Sequence, residues 1–241
     1  MAVGRIAARG LAPMARQFAP QAATGLFRTV LDAAVDGKGR FPGATTVARR
    51  HLRAAPELDG AGHEGSGLDI AGATHDVVEQ HVRLAGAQGF VTSLGGFAVL
   101  PLALPANITG LAVLQSRMVA AIAWLRGYDL SDPRVRTAIM ACLLGEECVT
   151  ELVDTGKLPS SPAAIATAPV HDAALYNRVA VELGSILTTR VGGKRLGLSV
   201  SRRVPLLGGG VGAVVDAVST YKVGRYAERE LPLRGRPLPV E

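Results

Sequence analysis

The sequence predicts an all-α protein, a compact multi-helix domain that contains two glycine-rich apolar helical hairpins. Apolar residues recur at helical spacing between the glycines and prolines, and no segment has the strict alternation expected of a half-buried strand. Aromatic residues make up only 4% of the chain while 29 of its 241 residues are Gly, so the core must be built mainly from small aliphatic side chains. Small side chains allow helices to approach one another closely.

The first part of the chain predicts three helices. Residues 25–37 and 43–55 have helical spacing and are separated by the break at Pro42, which indicates two short helices. Residues 60–67, GAGHEGSG, are too rich in glycine for regular structure and predict a loop. The helical period resumes over residues 68–84.

Residues 84–116 contain no Asp, Glu, Lys, Arg or His, a run of 33 uncharged residues. Pro101 and Pro105 each lack an amide donor and restrict the residue before them, so we expect two helical arms rather than one continuous helix. The second arm would begin at Pro105 and end at Gly127. The apex of this hairpin would be LPLALP, residues 100–105.

The second half of the chain predicts further helices separated by prolines and glycines. The sequence SDP at residues 131–133 is typical of a helix N-terminus, and the helix is expected to run towards Gly156. Residues 157–170 form a proline-containing linker. Residues 171–193 predict a helix that ends on glycines, and a turn at Pro205 precedes a helix of small residues.

The helical domain, residues 25–231, lies between a basic N-terminal segment, residues 1–24, and a Pro-rich tail, residues 232–241. The net charge of +6 is partly a property of the first segment, which has no acidic residue. It predicts either an amphipathic helix on anionic lipid or a frayed tail, and arginines interrupt it too often for an export signal. Cys142 and Cys148 are six residues apart, on different faces of one helix, so no disulfide is expected and a cytoplasmic location fits.

No recognisable catalytic or cofactor motif emerges from the sequence. Residues 208–213 formally match a dinucleotide-binding fingerprint, but the residues before them do not predict the buried strand that this motif needs. His75 and Glu79 have a spacing that metal ligands use, yet helical geometry directs His81 away from them. We therefore expect no cofactor and no metal, and a non-enzymatic protein is favoured over an enzyme. Charge alone does not support nucleic acid as a partner.

Three segments resemble the EcsC protein family of bacteria. They are AGAQGFVTSLGGFAVLPLALPANITGLAVLQSRMVAAIAWLRGYD at residues 85–129, SDPRVRTAIMACLLG at residues 131–145, and SRRVPLLGGGVGAVVDAVSTYKVGRYAE at residues 201–228. The family is named from a member encoded beside the subunits of a bacterial ABC-type exporter and has no established enzymatic activity. The resemblance implies a helical protein that is membrane-associated or cytoplasmic, with a membrane protein complex as one conceivable partner. It carries over no catalytic residue.

The uncharged run has three interpretations: a membrane-dipping hairpin, a buried helical hairpin, or the wall of an apolar ligand site. Stable membrane spanning is disfavoured, because Arg117 in the second arm would cost roughly 2.5–3.5 kcal/mol at a bilayer centre. The first hypothesis is a non-enzymatic protein bound peripherally to the inner face of the membrane. Alternatives are a soluble carrier of an apolar lipid-like ligand and a lipid-directed enzyme.

Specific residues follow from the first hypothesis. The expected lipid contacts are apolar tips flanked by arginines: Leu100, Leu102, Leu104, Leu206, Leu207, Arg202 and Arg203. Close helix packing is expected at the small residues Gly95, Gly96, Gly208 and Gly212. Asp216 is interpreted either as the partner of Arg117 in a buried polar pair or as a carboxylate on a helix surface.

Overall fold

The computed structural model describes residues 20–39, 41–53, 68–94, 96–200 and 205–234. Within these ranges it describes every side chain except those of residues 20–24, 26, 93–108, 187–200 and 205–209. This described part of the chain contains nine helices and no strand, which confirms the all-α prediction. The helices are α1 (Pro20–Val35), α2 (Ala44–His51), α3 (Ile70–Leu94), α4 (Gly96–Leu125), α5 (Pro133–Leu144), α6 (Glu146–Asp154), α7 (Pro162–Thr167), α8 (Ala173–Val200) and α9 (Pro205–Glu230).

Helices α3, α4 and α9 form the centre of the fold. Helix α3 is antiparallel to α9, since Gly89 on α3 faces Gly212 on α9, and Val78 faces Gly224. Helices α1, α2 and α5 pack around this centre, and α8 packs against α1 and α5. No helix in the described part combines the length and the apolar character that a membrane span requires.

The core surrounds the C-terminal half of α4, where every residue from Gln115 to Leu125 is buried. Helices that are apolar on all sides are normally buried on all sides. This half of α4 is surrounded by α1, α2, α3, α5 and α9. Met118, Ile122 and Leu125 are completely inaccessible to solvent. Burial of each such side chain stabilises the fold by about 1.5–3 kcal/mol, so this half of α4 fixes the positions of its neighbours.

The C-terminal ends of α4 and α9 are held together by Arg126. Its Nη1 donates to the carbonyl oxygens of Glu228 at 2.8 Å and Leu231 at 3.0 Å. The start of the Pro-rich tail is attached here too, because the amide of Arg234 donates to the carbonyl of Arg126 at 2.9 Å and its guanidinium lies over the ring of Tyr128. This end of the bundle is therefore polar and cross-linked.

The predicted interruption at Pro101 and Pro105 is wrong, because α4 runs continuously through both prolines. The two arms of the uncharged hairpin meet between Leu94 and Gly96, not at residues 100–105. Each proline removes its own backbone hydrogen bond and its ring crowds the carbonyl four residues earlier, at a cost of about 3 kcal/mol, although its fixed φ remains compatible with helix. Packing of the C-terminal half of α4 stabilises the helix enough to offset this local cost.

Other boundaries also differ from the prediction. The helix predicted from residue 133 towards Gly156 is divided at Gly145, whose φ of +83° only glycine adopts without strain. Its N-terminus is as predicted, with Asp132 accepting from the amide of Arg134 at 2.8 Å. The linker 157–170 contains α7, and α8 continues past the glycines at which it was expected to end. The predicted loop 60–67 lies outside the described residues.

Candidate functional site

The outward side of α9 carries an exposed row of apolar side chains. Val211, Val214, Val215, Val218 and Tyr221 are each between 45% and 62% exposed, and their spacing places them along one side of the helix. We call these five residues the valine face. A surface helix normally turns its apolar stripe towards the core, and contiguous exposed apolar patches on monomers commonly mark interaction sites.

The opposite side of α9 packs unusually close to α3, and this contact holds the valine face outward. A Cβ atom added to Gly89 would lie 2.5 Å from the carbonyl oxygen of Gly212 and 2.8 Å from Oδ2 of Asp216. Gly224, nearer the other end of α9, is also close to α3, because a Cβ added there would lie 3.0 Å from Cγ1 of Val78. Gly212, one of the residues expected to pack closely, lies at this contact, and Gly89 and Gly224, which were not among the expected packing residues, complete it.

The remaining predicted packing glycines are not tested. Gly95 lies outside the described residues. Gly96 and Gly208 lie in α4 and α9, but the contacts around them are outside the described part.

One end of the bundle is apolar. Since Gly89 faces Gly212, the last turns of α3 and the first half of α9 lie at the same end, where α4 also begins. Phe90 and Val91 on α3 are exposed there, Val91 by 66%. The uncharged run of the sequence thus reaches the surface at Phe90 and Val91, and we call this region the apolar end.

A cleft of about 870 Å³ opens beside the valine face. It lies between α4, the junction of α5 and α6, α8 and α9, and apolar side chains form most of its wall: Leu111, Ala112, Leu183, Ile186, Val215 and Val218. Lys222, Arg225 and Glu147 are among the charged residues at its edge. Its size is within the range of small-molecule sites, and Val215 and Val218 belong both to the cleft and to the valine face.

The lipid contacts predicted from the sequence remain predictions. Leu100, Leu102 and Leu104 are in the first half of α4 and Leu206 and Leu207 in the first turn of α9, but their side chains are outside the described part. Arg202 and Arg203 lie outside the described residues altogether.

Arg117 is buried as predicted, but its partner is different. Its Nε donates to Nε2 of His81 on α3 at 3.3 Å, and the ion pairs among the described residues do not include one with Asp216. Gln115 on α4 hydrogen-bonds to α9, where its Nε2 donates to the hydroxyl oxygens of Ser219 and Thr220. Arg117 is two positions later, about 200° further round the helix, and therefore faces α3 instead.

The His81 imidazole is held in one neutral form. Nδ1 bonds to the carbonyl oxygen of Val77 at 2.7 Å, so Nδ1 carries the proton and Nε2 accepts from Arg117. The ring is fully inaccessible to solvent. Burial, together with the charge of Arg117, lowers the pKa of His81 from 6.5 to about 4.

This shift predicts a loss of stability in mild acid. The imidazole of His81 binds a proton more readily in the unfolded chain than in the folded protein. The stability that the neutral, buried ring contributes is therefore complete above pH 6.5 and is lost as the pH falls to about 4. We expect the loss to be about 3 kcal/mol in the free energy of unfolding. Urea unfolding at both pH values measures it, with His81→Gln as the comparison because carboxylates titrate equally in both proteins. An equal acid loss in the variant would show that His81 is not responsible.

The two cysteines differ in accessibility. Cys142 is fully buried in α5, and burial raises the pKa of its thiol far above the usual range, whereas Cys148 is half-buried at the cleft. Since the thiolate is the reactive form, we expect a thiol reagent to modify Cys148 in the folded protein and Cys142 only after unfolding. Mass spectrometry of the labelled peptides measures this, and rapid native labelling of Cys142 would contradict the packing of α5.

Within the described residues, no group of three or more His, Cys, Asp or Glu side chains is placed to hold a metal ion. Comparison of the chain with protein-family models, with curated proteins and with solved structures gives no match. The fold and the site therefore define a helical protein with an apolar end, an exposed valine face and an adjoining cleft. These three features are the basis for the functional argument.

Proposed function

We propose that this protein binds peripherally to anionic membranes, with the valine face and the apolar end entering the headgroup region. The observation that carries the proposal is the exposed row of five apolar side chains on α9. A lipid surface accommodates such a row without requiring a second protein of complementary shape. The protein would act as a binding protein, not as an enzyme.

The apolar contact alone would give only weak attachment. Each side chain of the valine face is about half exposed, so its transfer out of water contributes about 1 kcal/mol, and the five together about 5 kcal/mol. This is comparable to a single myristoyl chain, which binds membranes marginally and reversibly. Stable attachment therefore needs a second attraction.

Basic residues near α9 supply the second attraction. Residues 183–215 contain Arg190, Lys194, Arg195, Arg202 and Arg203 but no Asp or Glu. Each basic residue close to an anionic surface contributes about 1 kcal/mol at physiological salt. This complementarity favours a lipid surface over an uncharged apolar partner.

The face of α9 itself changes from apolar to basic beyond Tyr221, with Lys222, Arg225 and Arg229. Arg225 pairs with Glu228 and Arg229 with Glu146, so these two pairs are nearly neutral at long range. We expect Lys222 and the basic residues before α9 to provide most of the attraction, and the binding to weaken as salt rises.

The resemblance to the EcsC family supports the same proposal, since that family is treated as membrane-associated or cytoplasmic. We place the protein at the inner face of the cytoplasmic membrane, where anionic lipids are exposed. A membrane protein complex there is a further partner that the resemblance suggests. Leu100, Leu102, Leu104, Leu206 and Leu207 are the proposed additional lipid contacts.

A test of the proposal is flotation of the full chain with vesicles of neutral or anionic lipid at low and high salt. We expect flotation with anionic vesicles that decreases at high salt, and little flotation with neutral vesicles. Absence from both vesicle fractions at low salt would rule the proposal out.

The cleft favours a second candidate function, that of a carrier for one apolar ligand such as a fatty acid. Its wall is mainly apolar, and its volume suits a ligand of that size. Native mass spectrometry of the purified protein distinguishes the two candidates, because a carrier would retain a bound lipid in the absence of vesicles.

A further inference from the structure

The cleft opens within the valine face. Four of the five side chains of that face also line the cleft: Val214, Val215, Val218 and Tyr221. The surface that is proposed to enter the membrane is therefore also one edge of a cavity of about 870 Å³. When this surface meets a bilayer, an apolar molecule can pass from the bilayer into the cleft without exposing its hydrocarbon to water.

The wall of the cleft beside α9 is preformed. Gln115 of α4 lines the cleft, is only 5% exposed, and donates through Nε2 to the hydroxyl oxygens of Ser219 and Thr220 at 3.2 Å. These hydrogen bonds connect α4 to α9, and the buried side chain of Leu183 on α8 forms another part of the wall. Because the apolar wall is already in place, little ordering of the protein opposes ligand binding.

The cleft changes from apolar to charged along α9. Val214 and Val218 line the part nearer the apolar end, and Lys222 and Arg225 line it one and two turns beyond Val218. Lys222 is about 12 Å along the helix axis from Val214, at 1.5 Å per residue. A lipid in a bilayer has the same polarity, with its chain directed inwards and its head at the surface. A lipid can therefore move into the cleft of a membrane-bound protein without turning over.

Lys222 is the cation of the cleft that is best placed for the head of an anionic lipid. Arg225 pairs with Glu228 and Arg229 pairs with Glu146. The ion pairs recorded among the described residues do not include one of Lys222. Its ammonium group is therefore available to a carboxylate that lies at the charged end of the cleft.

We propose that the protein takes up one single-chain anionic lipid, a fatty acid, from the membrane and carries it in the cleft. The acyl chain lies along Val215 and Val218, and the carboxylate reaches Lys222. The volume of the cleft suits one acyl chain with its head. This inference rests on the proposed membrane binding and makes the membrane the source of the carried ligand.

The test loads the full chain at low salt from anionic vesicles that contain isotope-labelled palmitic acid. The salt is then raised to release the protein, the vesicles are removed by centrifugation, and native mass spectrometry counts the retained fatty acid. We expect one molecule per chain of the wild type. In Leu111→Trp the retention should fall about tenfold or more, because the indole occupies part of the cleft that Leu111 lines.

The matched control is Leu114→Trp. Leu114 is also half-buried on α4, but it is not part of the cleft wall. Neither residue belongs to the valine face, so both variants should float with anionic vesicles as the wild type does, and circular dichroism checks that they are folded. Full retention by Leu111→Trp, or an equal loss in Leu114→Trp, would overturn the proposal.

A second comparison tests the position of the lipid head. Hexadecanol has the chain length of palmitic acid but no charge. We expect the wild type to prefer palmitic acid about threefold, the effect of one exposed ion pair, and Lys222→Gln to bind both ligands equally. Lys222 is exposed, so this variant keeps the core intact. Equal binding of the two ligands by the wild type would contradict the role of Lys222.

Flotation distinguishes a failure of this inference from a failure of the membrane proposal. A wild type that floats but retains no palmitic acid contradicts uptake and leaves membrane binding intact. A wild type that loads equally fast at high salt, without binding the vesicles, contradicts uptake from the membrane because the lipid then enters through water. Neither flotation nor retention would contradict both proposals.

Discussion

Replacement of Val214 and Val218 by Asp is expected to abolish flotation with anionic vesicles. The double substitution removes about 2 kcal/mol of the roughly 5 kcal/mol that the valine face contributes. It also adds two negative charges that must approach an anionic surface, and each costs a further ~1 kcal/mol or more. The remaining attraction is too small to hold the protein on the vesicle.

The matched control is Val170→Asp/Leu233→Asp. These two residues are 76% and 62% exposed, lie outside α9, and give the same change of charge and chemistry. We expect this control to float almost as well as the wild type, and circular dichroism to show that both double variants are folded. An equal loss in both variants would mean that net charge, not the valine face, determines binding.

Substitution of Gly89 by Ala is expected to destabilise the fold, whereas Gly86→Ala is expected to stabilise it. At Gly89 the added methyl would lie 2.5 Å from a backbone oxygen of α9, so the two helices must separate. Overpacking of this kind costs about 1–3 kcal/mol, which exceeds the ~1 kcal/mol gained in helix propensity. At Gly86 the nearest atom, Cβ of Ala217, is 3.5 Å away, an ordinary contact.

The two variants differ only in position on the same helix, which makes them a sensitive comparison. Urea unfolding followed by circular dichroism should give a difference of about 2 kcal/mol or more between them. If Gly89→Ala were as stable as Gly86→Ala, the result would contradict the close contact between α3 and α9 at Gly89. The orientation of the valine face would then lose its structural basis.

Much of the helical framework was predictable from the sequence because its signals are local. The Asp132 cap before Pro133, the start of α9 at Pro205 and the end of α4 before Gly127 all depend on residues within one turn. The two prolines of α4 led to a wrong prediction because the interruption that a proline favours is also a local effect. Their local cost is offset by packing that involves distant parts of the chain.

The candidate site was less predictable. The spacing of small residues identified Gly212, but its partner Gly89 is more than a hundred residues away, and only the register between α3 and α9 brings them together. Arg117 and Asp216 were plausible partners by charge, yet rotation about α4 directs Arg117 to His81. The valines of the exposed face look like core residues in a sequence, and only the packing of the other helices leaves them uncovered.

In the proposed bound state, the apolar end and the valine face enter the membrane. A fluorescent label on a cysteine introduced at Val214, with Cys148 replaced by Ser, reports this entry when brominated anionic vesicles are added. The same label at Ser131, near the polar end of the bundle, is the comparison. We predict a blue shift and strong quenching at position 214 and neither at position 131. Equal quenching at both positions, or none at 214, would contradict the account.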